Sequence, residues 1–399
     1  MDENFKAKII NRSHDFLPIL GGKIIDLRTG EVRDRTKNDY FSFECPVEYI
    51  PINEWTDIDE QDRKKFIDQI FMGDREYIEF IHILFGSFLS GRTNRTNYIF
   101  HGHGKNGKSS IMDAIGIILG KFFGYISPNV IIHDPSSHRK NNESSHTSYL
   151  IPIDGKRLII TQELEPKNTI NGGLFKKLAS SDPIEGVREA YGKKTVEIYP
   201  FCKLVVPTNV IPRFDNERSV TDRIVFCPFF SRFLTKEALK KEIEDGLYDE
   251  STYKYFPSDE QFVEKYKSPG RNINILFSWL VQGCVSFYKL RNDGMVLPNI
   301  VKKYIDEKVG ENDVISQWID EKCNVTTPEN WEKMNKKERK KNQELGSELF
   351  QSFTAWELSN GNGKEGAFGR IKFYEALSNK FKKRRDTDGF VFERIATIK

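Results

Sequence analysis

An α/β fold built on a mostly parallel sheet is predicted for this 399-residue chain, and three observations predict it. Compact apolar runs at 157–161, 202–206 and 223–226, preceded by Asn97-Tyr98-Ile99-Phe100, read as strands, the compact runs as strands buried on both faces. Helical stretches separate them, which is the order a parallel sheet requires. A glycine-rich turn follows the first run and leads straight into a helix, a context that aims backbone N–H groups at an anion. Around a core at 93–235 the sequence predicts a small, mostly helical accessory domain at 1–92, a helical extension at 236–310 and a small helical, winged-helix-like domain at 311–399.

The elements follow in order. Residues 21–27 and 29–32 alternate a little and turn at glycines, as a small hairpin does. Helical spacing holds over 60–71 and again over 75–89, where Tyr77, Ile78, Ile81, Leu84, Phe85 and Leu89 share one apolar face. After the strand at 97–100 and its glycines, a helix is expected over 109–119. Residues 126–150, rich in Ser, Asn and Pro, read as loop. Beyond 236 helices dominate, including one over 272–290. Segment 331–341 is dense in Lys, Arg, Glu and Asn and reads as an exposed linker or a solvated helix. Helical stretches at 349–358 and 372–381, then a strand at 390–392, give the outline of a winged helix.

Composition narrows the function classes. Lys+Arg 61 against Asp+Glu 58 leaves only +3, so contact with nucleic acid has to come from local basic patches. The five cysteines stand far apart with no C-x-x-C pair, which fits reduced thiols and neither a zinc knuckle nor a disulfide framework. No stretch approaches the ~20 apolar residues of a membrane span, and the N-terminus lacks an apolar signal core.

The chemistry starts at Gly102-His103-Gly104-Lys105-Asn106-Gly107-Lys108-Ser109, which fits G-x-x-x-x-G-K-[ST] between a strand and a helix. Glycines let backbone N–H groups converge on phosphates, and the helix dipole adds to the attraction. The expected ATP-binding set is Gly102, Gly104, Asn106, Gly107, Lys108, Ser109 and Ser110, with Lys108 on the β- and γ-phosphates and Ser109 on Mg²⁺. Such a site needs a carboxylate at a second strand end. Glu163, just past the run at 158–161, can face Mg²⁺ and polarise the attacking water, with Glu165 as the alternative. Asn209 follows a third strand, where an amide can sense the γ-phosphate or simply sit in a turn. Arg223, at the start of the next strand, can reach a neighbouring subunit's γ-phosphate or pair with Asp222 or Asp215. Lys177, Arg188, Lys193 and Lys194, near Tyr191 and Gly192, suit a hairpin on single-stranded DNA phosphates, or a solvated basic turn. The run from Lys380 to Arg385 is likewise a DNA patch or an exposed face.

Taken in order, these motifs resemble superfamily 3 helicases, specifically the poxvirus-type primase-helicase and the phage and plasmid primase family. The likeness runs from about Phe16 to Lys289. Leu17-Pro18-Ile19 with 21–27 looks like the family's accessory segment, collar-like at 1–92, and 85–91 looks like its lead-in helix. The family's loop commonly reads G-x-G-x-N-G-K-[ST], which Gly102–Ser109 matches, Asn106 included. By the same likeness Glu163 is the catalytic carboxylate, Asn209 the motif C sensor and Arg223 the arginine finger. Lys177, Asp182, Arg188 and the Lys193-Lys194 turn resemble the intervening motif with its DNA-touching hairpin. Two departures stand: Ser180-Ser181 where relatives often have two glycines, and Asp222 where they often have a basic residue.

The resemblance implies an AAA+-like P-loop NTPase core, a ring, usually a hexamer, and 3′ to 5′ unwinding of single-stranded or forked DNA during replication of a viral or mobile-element genome. It implies partners such as a primase or polymerase, and work in the host-cell cytoplasm at a viral replication site or in a bacterial cytoplasm. Only about fifteen residues precede the likeness, too few for a primase domain, so priming is expected from another protein or from an upstream part of a longer chain. The rival readings are an ATP-driven DNA translocase and a nucleotide-switched origin or assembly module, neither separating strands.

Overall fold

The computed structural model describes residues 9–133, 148–164, 169–180, 182–188, 195–212, 214, 218–245, 248–290, 294–311, 314–359, 370–387 and 389–398. By Cα packing the chain divides into two compact units, Met1–Asp306 and Glu307–Lys399. The finer boundaries expected at 92/93 and 235/236 have no counterpart in that division, because one apolar cluster runs from Leu17 through Phe85, Phe100 and Ile115 to Leu280.

The first unit opens with a three-stranded antiparallel sheet of Phe16–Ile19, Lys23–Asp26 and Val32–Asp34, which turns at Gly21 and Gly22. Helix α1 (Asp57–Ile70) starts at a capping box: the Thr56 hydroxyl accepts from the Asp59 amide while the Asp59 carboxylate accepts from Thr56. Helix α2 (Arg75–Ser90) is capped by Asp74 and stops at Gly91, whose φ is +65°. Its apolar face is the one the periodicity predicts: Tyr77, Ile81, Leu84, Phe85 and Leu89 are all buried. That face lies on the long helix Arg271–Lys289. There Gly86 meets Gly283 and Cys284 so closely that a Cβ on Gly86 would stand 2.2 Å from the Cys284 amide nitrogen.

The central sheet has five strands, which we number β1 (Asn97–His101), β2 (Phe123–Ile126), β3 (Leu158–Thr161), β4 (Lys203–Thr208) and β5 (Ile224–Pro228). All neighbours are parallel, in the order β5-β1-β4-β3-β2. Every residue of β1, β3 and β5 is buried, as expected of strands covered on both faces. Helix α3 (Lys108–Leu119) follows β1. Because all five strands run the same way, their C-terminal ends lie along one edge. Because β4 lies between β1 and β3, whatever follows β4 stands between the loop after β1 and the residues after β3.

Residues 126–150, read as loop, contain the short turns Pro128–Val130 and Ser148–Ile153 and the strand Ile132–His133, with 134–147 outside the described residues. The second unit has its own core around Trp318, Phe353, Phe373 and Phe392. Helices Val314–Lys322, Gly346–Ser359 and Arg370–Lys380 pack beside Gln343–Leu345, Gly389–Glu393 and Lys383–Asp386, which pair antiparallel in that order. The charged segment forms two short helices, Pro328–Lys333 and Lys336–Lys341, with no buried residue. Among the described residues no helix is long and apolar enough to cross a membrane.

Candidate nucleotide site

The loop between β1 and α3 is exposed at His103, Gly104 and Lys105. Gly107 has a φ of +83° and caps α3, and Lys105 also takes a left-handed φ, of +61°. Gly102 has no room for a side chain: a Cβ would sit 2.4 Å from the Phe229 carbonyl oxygen. Asn106 is buried inside the loop, where its amide nitrogen donates to the His103 carbonyl (3.0 Å) and its oxygen accepts from the Lys108 N–H (3.3 Å). The asparagine therefore braces the turn from within. Ser109 is exposed and Ser110 half-buried.

Lys108 is 6% exposed and carries no carboxylate partner within salt-bridge distance among the described residues. Its ammonium donates to the Gly102 carbonyl and, at 2.9 Å, to Oδ1 of Asn209. Burial pushes its pKa down to about 8, offset in part by the Glu163 charge. A cation held only by neutral oxygens in a desolvated place is short of negative charge. The Asn209 backbone N–H in turn donates to Oε1 of Glu163 at 3.1 Å. Lys108, Asn209 and Glu163 come from three different loops, yet they form one hydrogen-bonded chain across the tips of β1, β4 and β3. The Glu163 carboxylate remains exposed, and Glu165 lies outside the described residues.

Arg223 sits elsewhere. It immediately precedes β5, whose first residue pairs with Asn97 and whose last pairs with His101, so Arg223 lies on the opposite edge of the sheet from this chain's own loop. Four strand steps at ~3.3 Å each separate those edges by about 13 Å. Lys177 is exposed on the last turn of the helix Gly172–Ala179 and has no part in the Lys108–Asn209–Glu163 chain. The expected hairpin exists as Ile184–Arg188 paired antiparallel with Thr195–Ile198, with Arg188 opposite Thr195. Lys193 and Lys194 lie outside the described residues, as does the Arg188 side chain.

Sequence reasoning missed Arg232. It lies on the strand Ser231–Leu234, and its guanidinium donates to the Gly104 carbonyl at 2.7 Å while pairing with Glu242. The next residue, Phe233, donates its N–H to the Lys105 carbonyl at 2.8 Å. This strand thus clamps the loop from outside. The only signal in the sequence is a short polar-apolar alternation, which says nothing about which loop it touches.

Residues 100–223 match a family described as "Family of unknown function (DUF5906)"; the matched span holds nearly all of the chemistry just described. Over 302 residues the chain is 26% identical to "Putative helicase L207/L206" of Acanthamoeba polyphaga mimivirus, covering 74% of this chain and 29% of that protein. Over 278 residues it is 25% identical to "Putative helicase 184R" of Invertebrate iridescent virus 6, covering 66% of this chain and 27% of that protein. The chain thus spans less than a third of the length of these curated relatives. Among solved structures, the apo form of the NrS-1 C-terminal region (305–718) gives a TM-score of 0.47 at 14% identity, over 94% of this chain and 82% of that one. The chain is similar, over most of its length, to viral proteins named as helicases.

Proposed function

We propose that this chain is the ATP-hydrolysing motor of a helicase that replicates a viral genome, of the superfamily 3 type with an AAA+-like core. One observation carries the reading: the hydrogen-bonded chain from Lys108 through Asn209 to Glu163, laid across adjacent strand tips beside a phosphate loop. The residues fit a nucleoside triphosphate. Among the described residues Lys108 has no carboxylate within salt-bridge distance, and the loop is exposed at His103, Gly104 and Lys105. The Thr161 hydroxyl at the end of β3 is buried without a hydrogen-bond partner. Exposed Ser109 and Glu163 would hold Mg²⁺, whose charge neutralises phosphate oxygens.

In this reading Lys108 binds the β- and γ-phosphates and gives up its bond to Asn209 when they arrive. Asn209 then faces the γ-phosphate while its backbone still positions Glu163. The Glu163 carboxylate takes the proton of the attacking water. Arg223, too far from its own loop, serves the nucleotide of a neighbouring copy, which supports a ring of identical subunits, a hexamer by resemblance. Lys177, Arg188, Lys193 and Lys194 contact single-stranded DNA, and the motor tracks 3′ to 5′. The second unit acts as a winged helix, and a primase or polymerase joins at the replication site in the host cytoplasm. Strand displacement on a forked duplex tests the proposal: unwinding requires ATP and disappears in Lys108→Ala. DNA-stimulated turnover with no strand separation would make the chain a translocase instead.

A further inference from the structure

The pairing of β5 with β1 continues past the sheet, so the segment that leaves β5 runs alongside the loop that leaves β1. Three links join them: the Phe229 N–H donates to the His101 carbonyl (2.7 Å), the Arg232 guanidinium to the Gly104 carbonyl (2.7 Å) and the Phe233 N–H to the Lys105 carbonyl (2.8 Å). The segment is itself anchored. Ser231 is buried, its hydroxyl donates to the Ile70 carbonyl at the end of α1 (3.1 Å), and its strand pairs parallel with Lys254–Pro257. Only the middle link is made by a side chain. The Arg232 side chain is 17% exposed and pairs with Glu242, which is 15% exposed. Glu242 lies on the helix Lys236–Glu244, which has no buried residue of its own. Its second oxygen, Oε2, is buried without a hydrogen-bond partner among the described residues. A half-satisfied carboxylate is costly, so fold stability alone gives no reason to place it behind the arginine.

We propose that Arg232, held in turn by Glu242, is a positioning residue for phosphate binding: it sets the direction of the loop's peptides and touches no phosphate itself. The inference rests on the phosphate-loop reading and deepens it by naming the group that shapes the loop. A trans peptide is planar, with its C=O and N–H on opposite sides. Pinning the Gly104 carbonyl on Arg232 therefore turns the Lys105 N–H away from the strand Ser231–Leu234. Pinning the Lys105 carbonyl on Phe233 turns the Asn106 N–H the same way. Gly104 needs the restraint. It is exposed, a Cβ placed on it would meet nothing within 4 Å, and glycine has the most backbone freedom of any residue. Packing does not fix that peptide; the guanidinium does. An arginine suits the task because its rigid fork serves two acceptors through separate nitrogens, here the Gly104 carbonyl and the Glu242 carboxylate. When phosphate arrives, the carboxylate competes for the guanidinium and keeps it behind the loop.

The test is steady-state ATP turnover by the whole chain with Mg²⁺, reading KM and kcat separately. Arg232→Met keeps an unbranched side chain and removes the guanidinium. Its KM should rise about tenfold, the scale of one charge-assisted hydrogen bond, with kcat within about threefold because Glu163 and Asn209 stand on other strands. Arg232→Lys keeps the charge without the fork, and its KM should stay raised. Exchanging the pair, Arg232→Glu with Glu242→Arg, rebuilds the ion pair without the donor to Gly104. It should recover the melting temperature lost in Arg232→Glu alone while KM stays raised, which a merely structural salt bridge would not do. An Arg232→Met KM within about twofold of wild type overturns the positioning role and leaves the phosphate loop standing. So does a loss of kcat that equals or exceeds the rise in KM, or a wild-type KM in Arg232→Lys or in the exchanged pair. A wild-type chain that turns over no ATP overturns the phosphate-loop reading itself.

Discussion

At Lys108 the sequence motif meets a cost that only three dimensions reveal. The motif asks for an amine that reaches phosphate, and the fold delivers one that is nearly buried and held by neutral oxygens, with its pKa lowered to about 8. In the nucleotide-free chain that charge is disfavoured. As pH rises through about 8 the folded chain sheds a proton that the unfolded chain keeps up to the ordinary lysine value near 10.4, so stability gains with pH in this window. Nucleotide binding runs the other way, because phosphate needs the ammonium. ATP affinity is therefore expected to be flat near pH 7 and to fall, by up to about tenfold per unit, above pH 8. Titration calorimetry from pH 7 to 9.5 checks this, and a flat profile to pH 9.5 would mean that the lysine is not desolvated.

The same residues show what the sequence made legible. Lys108 is found from the glycine-rich motif, Glu163 and Asn209 from polar residues just past a strand, and the fold joins them in one hydrogen-bonded chain. What the motifs left open was their order in space. That depends on β4 inserting between β1 and β3, a pairing of segments more than forty residues apart. Arg232 was illegible for the same reason, since its partner at Gly104 is 128 positions away.

At the scale of elements, most long helices and buried strands are read to within one or two residues, but Asp57–Ile70 and Gly346–Ser359 begin three residues earlier than expected and β2 (Phe123–Ile126) is missed. Their periodicity records burial: the apolar face expected for 75–89 is the face that α2 buries. The closeness of α2 to Arg271–Lys289 left no such mark, because two glycines 197 positions apart carry it. Gly86→Ala is expected to force these helices apart, at a cost of roughly 1–3 kcal/mol. Urea unfolding measures it, and a loss below about 0.5 kcal/mol would show that the contact yields easily. The N-terminal region proves harder to read than the core. Its short strands and helices share one apolar cluster with the sheet, so no composition change marks a boundary at 92/93.

At the scale of the whole molecule, the position of Arg223 matters most. It stands on the sheet edge opposite its own loop, and in the proposed ring its role in hydrolysis would belong to a neighbour's site. Arg223→Ala and Lys108→Ala chains, each inactive alone, should recover part of their ATP turnover when mixed, because some interfaces then pair an intact loop with an intact arginine. No recovery at any ratio would assign Arg223 a structural place within its own chain.

The account depends most on Glu163 acting as the base at a site that binds nucleotide without it. Parallel measurement of ATP binding and ATP turnover in Glu163→Gln tests that directly. Binding within about threefold of wild type, with turnover reduced at least about a hundredfold, is the predicted result. Unchanged turnover would contradict it, since the water would then be activated by some group other than the carboxylate that Asn209 holds beside the loop.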